Sequence, residues 1–559
     1  MAKLPVSHDF CGVSRNVTFL GMNAEPVLVH QSKHGRRPPG GAENHEGEPD
    51  NMMRTPTSTP SIKRRSILTA MGTALLTPLV ACARGEDKAS STQGPSEGTL
   101  DGTQDQLGGL GGSAPSLSPE EYEAIVDGMA EWVSRIWPLM GSVWPDADYN
   151  QHRIVAMQTD DDFKATRAWV VSTDGHRELG EHEYADITAP TSYDKITFEG
   201  FPSITLNLGS AVTLSKGQGQ DEQNASSGTS PASAGAAGDA ADLTDPATFA
   251  FALMTHELVH FYYQGEINVT AESSRDTPYP FEVRPRTLRR MLLHSLYLAA
   301  TEQDKQQDHL GHARYWLDTW KKEAEQEAQD IHHYDIAEGV ARYVEYMALS
   351  IESDQSAEQL RSRQAPLLKE GLTVDLSVDA ESYALGFTTG VLLDSRKPGW
   401  KDGFYAGGTT LTELLLEDVA PIPEDVDEQV QAEVDKQAAE SEENTGPQIK
   451  KIDSAEADTG TAYLRFLTFG EIAYAGSFAY KDKVVLTTTI LNVNNEGQSL
   501  QIFGTPSFTG TDREILNVPL IDATHRYDNG VLTVTGDAIN GTVKTERTTE
   551  NGREVFIVE

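Results

Sequence analysis

Ala252-Leu253-Met254-Thr255-His256-Glu257-Leu258-Val259-His260-Phe261-Tyr262-Tyr263 is the stretch from which the rest of the chain is best read. Phe249, Leu253, Leu258 and Phe261 follow the spacing of a buried helical face. Thr244-Asp245-Pro246 offers a capping side chain and a proline suited to a first turn, and Gly265 is an end signal. Residues four apart on a helix lie one turn apart on one face, so His256 and His260 can present two imidazoles to one metal ion. Glu257 follows the first imidazole and can reach a water on that metal. Zinc takes nitrogen or oxygen ligands in tetrahedral geometry and keeps one position open for water in a catalytic site. Such a metal lowers the water's pKa, and the carboxylate takes its proton as the water attacks a carbonyl. Two histidines and a glutamate can also fall together by chance on an amphipathic helix, so the reading calls for a third ligand.

Asp335-Ile336-Ala337-Glu338-Gly339-Val340-Ala341-Arg342-Tyr343-Val344-Glu345-Tyr346 is also helical in pattern. Glu338 and Glu345 lie two turns apart and share a face. The stretch resembles the Glu-Gly-x-Ala-x-Tyr-x-Glu helix of gluzincins, the metallopeptidase clan that includes thermolysin and the zinc aminopeptidases. The resemblance implies that Glu338 is the third zinc ligand. Gly339 beside it would let another backbone approach closely. Metal-bound histidines usually donate their other N–H to a carboxylate, and Glu345 is placed to accept one.

The resemblance spans roughly residues 196 to 350. It implies a zincin-like domain, mostly helical, with a small sheet before the active-site helix. In the clan the edge strand of that sheet pairs with the substrate backbone, and Ser203-Ile204-Thr205-Leu206-Asn207-Leu208 is expected at that edge. The clan also needs a donor for the tetrahedral oxyanion, often a tyrosine or histidine from a helix downstream of the metal. Tyr383, in the helical stretch opened by Ser382-Tyr383-Ala384-Leu385-Gly386-Phe387, is the first candidate, with His332, His333 and Tyr343 behind it. Two features depart from the clan's named families. His260 and Glu338 are 78 positions apart, with helical patterns over 286–303 and 309–328 between them. No Gly-x-Met-Glu-Asn stretch is present to hold a free amino terminus, so cleavage within chains is expected.

The 559-residue chain carries a net charge of −40, which argues against a nucleic-acid surface. Its two cysteines, Cys11 and Cys82, form no disulfide framework. Residues 1–51 lack periodicity, and Met52-Met53 begin a more usual export signal. Lys63-Arg64-Arg65-Ser66-Ile67-Leu68 matches a twin-arginine pattern. The apolar run from Ile67 to Ala81 is too short to span a bilayer and fits a signal peptide. Leu79-Val80-Ala81-Cys82 resembles a bacterial lipobox, which implies lipidation of Cys82 and a membrane-anchored, extracytoplasmic lipoprotein. Residues 83–117 read as a flexible tether.

Order is expected from the capping box Ser118-Pro119-Glu120-Glu121 onward. Strand patterns at 153–157, 168–173, 195–199 and 203–208 precede the His-Glu-x-x-His helix, with a Gly/Ser/Ala-rich insertion at 215–241. The expected organisation is α+β: a gluzincin-like peptidase domain over 118–423, an acidic linker or helix over 424–460, and an all-β domain over 461–559. Asp528-Asn529-Gly530 and Glu550-Asn551-Gly552 mark hairpin turns in the last. The expected function is a zinc peptidase acting on a peptide or protein substrate. It would be held at the membrane by its amino-terminal lipid, and the β domain is left three roles: binding wall polymer, binding substrate, or packing against the peptidase. The competing class is a non-catalytic surface lipoprotein that binds or supports other molecules. Turnover of a peptide library separates the two.

Overall fold

Ser118 opens the first helix as the capping box requires. Its hydroxyl accepts from the Glu121 amide at 3.2 Å, and the Glu121 carboxylate accepts from the Ser118 amide at 2.7 Å. The computed structural model describes residues 117–558 apart from 161–163, 191, 216–240, 266, 268–273, 468–472, 475 and 496–497. The export signal, Cys82, the tether and nearly all of the insertion at 215–241 therefore lie outside the described residues.

The fold is mixed α+β. Helix α1 (Pro119–Ile136) leads through a turn of 3₁₀ helix to a five-stranded sheet. Its strands are β1 (Arg153–Thr159), β2 (Ala165–Ser172), β3 (Gly175–Glu178), β4 (Tyr193–Phe198) and β5 (Phe201–Asn207), in the order β3-β2-β1-β5-β4. The expectation that Ser203–Leu208 forms the sheet edge is corrected here. Strand β5 lies between β1, to which it is parallel, and β4, to which it is antiparallel. Ser203 through Asn207 are all buried, as an inner strand covered on both faces must be. Their polar side chains are satisfied locally: the Thr205 hydroxyl donates to the Asp194 carbonyl at 3.1 Å. The edge on this side of the sheet is β4, where Asp194 and Lys195 face solvent.

Helix α2 (Pro246–Leu258) carries the first histidine. Asp245 caps it by accepting from the Thr248 amide at 2.9 Å, and Pro246 fills the first turn. Every residue from Ala247 to Leu258 is buried, so α2 runs through the core and its polar residues must find partners inside the protein. Helix α1 and the turn after it fix its axial position. The Trp132 and Trp137 indoles donate to the Thr248 and Thr255 hydroxyls, each at 3.1 Å. Trp132 also stacks on Phe251 with centroids 5.2 Å apart, a contact worth about 0.5–1.5 kcal/mol beyond area burial.

Among the helices that follow are α3 (Val283–Thr301), α4 (Gln306–Glu323), α5 (His332–Ser350), α6 (Ala357–Glu370), α7 (Val378–Arg396), α8 (Leu411–Leu416) and α9 (Glu428–Ala457). Helices α5 and α7 cross at glycines. A Cβ on Gly386 would lie 2.1 Å from the Gly339 Cα, and one on Gly390 would lie 2.2 Å from the Tyr343 ring. The close backbone approach expected at Gly339 is thus present, and Gly386 is what meets it. Helix α3 is tied in by charge: the buried Arg289 and Arg290 both pair with the buried Glu381 on α7, at 3.1 and 3.2 Å. Arg289 also pairs with Asp335 on α5 at 2.9 Å.

The carboxy-terminal region is all β, from β7 (Tyr463–Phe466) through β8 (Ala473–Tyr474), β9 (Ser477–Tyr480), β10 (Lys483–Asn495), β11 (Gln498–Gly510) and β12 (Leu516–Pro519). It continues with β13 (Thr524–Asp528), β14 (Val531–Thr535), β15 (Ile539–Lys544), β16 (Glu546–Glu550) and β17 (Arg553–Val558). Asn529-Gly530 and Asn551-Gly552 close the expected hairpins, all four residues at positive φ as a tight two-residue turn demands. The acidic stretch expected near 424–460 is largely the helix α9. Its Ile449 and Ile452 pack on Val485 of β10, and its Ala455 packs with Tyr463 and Val555. A two-residue strand from the helical region, β6 (Thr277–Pro278), joins the same sheet beside β9.

Candidate metal centre

Helix α2 keeps regular α hydrogen bonding to Leu258. The next turn, Val259–Tyr263, widens to π geometry, closed by the Gln264 amide donating to the Val259 carbonyl at 2.9 Å. Such turns recur at functional sites. Here the wide turn carries His260 and brings it beside His256, with the two Nε2 atoms 3.0 Å apart. Glu338, nearly two turns into α5, completes the group. Its Oε2 lies 3.1 Å from His260 Nε2 and 3.4 Å from His256 Nε2.

These three distances test whether a metal fits. Nitrogen and oxygen ligands about 2.0–2.1 Å from a small tetrahedral dication lie about 3.3–3.4 Å from one another. The observed triangle of 3.0, 3.1 and 3.4 Å is close to that size. The other ring nitrogens are committed elsewhere. His256 Nδ1 donates to Glu345 Oε2 at 2.8 Å, and His260 Nδ1 donates to Gln264 Oε1 at 3.1 Å. Those bonds select the tautomer that leaves each Nε2 lone pair aimed at the common point. Two lone pairs and a carboxylate converging in a buried space favour a cation among them. The buried group His256, His260 and Glu338 can therefore hold a metal ion.

A proton and a metal ion compete for His256 Nε2, and the electrostatics measure how strongly the group draws positive charge. Burial acts to lower the His256 imidazole, but its hydrogen bonds to Glu338 and Glu345 outweigh this and bring it up to about 9. Burial acts to raise the Glu338 carboxyl, yet His260 and Arg275 hold it well below the usual carboxylate range. The site thus prefers positive charge. Glu257 is buried beside it at 3 % exposure. Burial pushes its carboxyl up, the direction that suits a proton acceptor working near neutral pH.

The structure gathers the sequence-predicted residues unevenly. His256, Glu257, His260, Glu338 and Glu345 come together. Tyr383 on α7 is close, its ring 5.8 Å from that of His256 and its hydroxyl accepting from Arg275 Nη2 at 3.3 Å. His333 is near enough to Glu338 and His260 to sense their charge, and burial lowers its imidazole. His332 bonds instead to Glu413 at 3.3 Å. Tyr343 packs edge-on against Trp400 and donates to Asp394 at 2.6 Å.

Motif reading does not reach four further residues. Gln264 orients His260 and is legible in hindsight as the residue four positions on. Tyr193, at the start of edge strand β4, hydrogen-bonds the Glu257 carboxylate through its hydroxyl. Arg275 Nη1 lies 3.2 Å from Glu338 Oε1, and Arg275 Nε donates to Asp379 Oδ1 at 3.0 Å. No local signal marks Tyr193, Arg275 or Asp379, because each reaches the site through tertiary contact alone. Compared with known protein families, curated proteins and solved structures, the chain matches none.

Proposed function

We propose that this protein is a zinc-dependent peptidase of gluzincin type, acting within peptide or protein chains. The observation that carries the reading is the convergence of His256, His260 and Glu338 on one point, with the buried Glu257 carboxylate at its side. Two imidazoles and one carboxylate with a fourth position left to water is a ligand set of catalytic zinc. Zinc there would supply an acidified water and polarise the scissile carbonyl.

The chain's own residues do the rest. Glu257 accepts the proton from the attacking water and delivers it to the leaving amine. Glu345 and Gln264 hold the two imidazoles in the ligand tautomer. Tyr383 donates to the oxyanion as it forms. Strand β4 offers its outer backbone edge to an extended substrate, and Tyr193 links that edge to Glu257. The lipobox-like Leu79-Val80-Ala81-Cys82 supports lipidation at Cys82 and an extracytoplasmic, membrane-anchored enzyme.

Metal analysis of the purified protein joined to a broad peptide-cleavage screen tests this reading. Bound zinc with internal cleavage supports it. Bound zinc with no cleavage of any peptide would favour a surface module whose metal is structural.

A further inference from the structure

Arg275 and Asp276 are neighbours in sequence and serve opposite partners. Arg275 holds the metal group: its Nη1 lies 3.2 Å from Glu338 Oε1, and its Nε donates to Asp379 Oδ1 at 3.0 Å. Asp276 pairs with Arg513, in the turn between β11 and β12 of the carboxy-terminal sheet. Arg513 in turn donates to the Tyr474 hydroxyl of β8 at 3.3 Å. The backbone on either side is tied down as well. The Ser274 amide donates to the Asp330 carbonyl at 3.0 Å. Thr277 and Pro278 run parallel to Phe478 and Ala479 of β9, and the Tyr279 amide donates to the Ala479 carbonyl at 2.9 Å.

The division of labour on Glu338 gives this connection a consequence. Arg275 occupies Oε1, which leaves Oε2 to face the two histidines. Arg275 is itself matched by Asp379, so the pair steers the ligand without adding an unbalanced charge beside the metal. Asp276 is nearly buried, with a side chain 7 % exposed, so its attachment to Arg513 is not a loose surface pair.

We propose that residues 274–279 are a strap through which the carboxy-terminal β domain sets the position of Glu338, making Arg275, Asp276 and Arg513 positioning residues of the metal site. The inference rests on the reading of Glu338 as a metal ligand. It gives the β domain a role inside the site in addition to any contact with wall or substrate.

The test uses the full chain and measures zinc affinity by competition with a chelator. Wild type is compared with Arg513→Ala, Asp276→Asn, the charge exchange Asp276→Arg with Arg513→Asp, and Glu338→Ala. Each single strap variant is expected to weaken zinc binding by roughly 10-fold, the lower end of the range for lost outer partners of a metal site. The charge exchange is expected to recover most of that loss. Thermal unfolding of the metal-free forms separates positioning from packing. Strap variants that lower metal-free stability but bind zinc as tightly as wild type would overturn the proposal. If Arg513→Ala does not fold, Asp276→Asn, which keeps size and hydrogen bonding, decides it. Undiminished zinc binding by Glu338→Ala would instead overturn the ligand assignment itself, a result distinct from failure of the strap.

Discussion

Glu345 Oε2 accepts from His256 Nδ1 at 2.8 Å across 89 positions of sequence, while Glu345 Oε1 is held by Arg342 Nη1 at 3.1 Å. The two bonds leave the carboxylate no freedom to turn. It fixes both the plane and the tautomer of the first imidazole, whose other nitrogen faces Glu338.

Glu338 and Glu345 therefore differ in kind, and substitution should rank them. Glu338→Ala removes a proposed ligand and should abolish tight zinc retention. Glu345→Ala removes an orienting partner and should cost ~10–100-fold in affinity or activity. Equilibrium dialysis against a chelator series measures both. The opposite ranking would mean that the wrong glutamate has been assigned to the metal.

Glu257 has no metal to hold in this scheme and acts only on protons. Glu257→Gln keeps its shape and hydrogen bonding. Zinc content and unfolding temperature should match wild type, while turnover falls by about 10²–10⁴-fold. His256→Ala should lose zinc and turnover together. A glutamine variant that cleaves at the wild-type rate with zinc in place would remove Glu257 from the mechanism.

Gly386 bears directly on Glu338 through the crossing of α5 and α7. Its added Cβ would meet the Gly339 Cα at 2.1 Å, backbone against backbone, so neither side can yield by rotating a side chain. Gly386→Ala should destabilise by at least the ~1–3 kcal/mol typical of overpacking, and should weaken zinc retention because Glu338 adjoins the contact. Calorimetry and metal analysis of the variant check this. Unchanged values of both would mean the helices can separate without consequence.

His152 predicts a pH dependence that does not involve the proposed metal ligands. It is fully buried, its Nδ1 donates to the Pro202 carbonyl at 2.8 Å, and its Nε2 accepts from the Tyr263 hydroxyl. The imidazole is therefore neutral in the folded protein, and burial lowers its pKa from 6.5 to about 4. Between those values the unfolded chain binds more protons than the folded one. Stability conferred by neutral His152 is thus complete above about 6.5 and declines as pH falls toward about 4, by roughly 3 kcal/mol in all. Denaturant unfolding from pH 7 to 4 should show the decline, and His152→Gln should flatten it. An equal slope in the variant would assign the effect to other groups.

Much of the site is legible in the chain because its spacing is local. The four-residue step from His256 to His260, the seven-residue step from Glu338 to Glu345 and the cap at Asp245 each specify a face of a helix from one short window. The same holds for the Asn-Gly hairpins and for the glycine at 339, whose missing side chain announces a close neighbour. That neighbour is Gly386, and no local rule names it. The order of strands in the sheet is likewise a tertiary outcome. The stretches 195–199 and 203–208 both read as strands, and only the parallel pairing of β5 with β1 makes one inner and the other edge. Arg275, Asp379 and Tyr193 are charged or polar residues of ordinary local context. They matter because packing buries them against Glu338 and Glu257, where low solvation makes each pairing strong and each absence costly. Short-range periodicity thus determined which residues could share a metal, while long-range burial decided what surrounds and steers them.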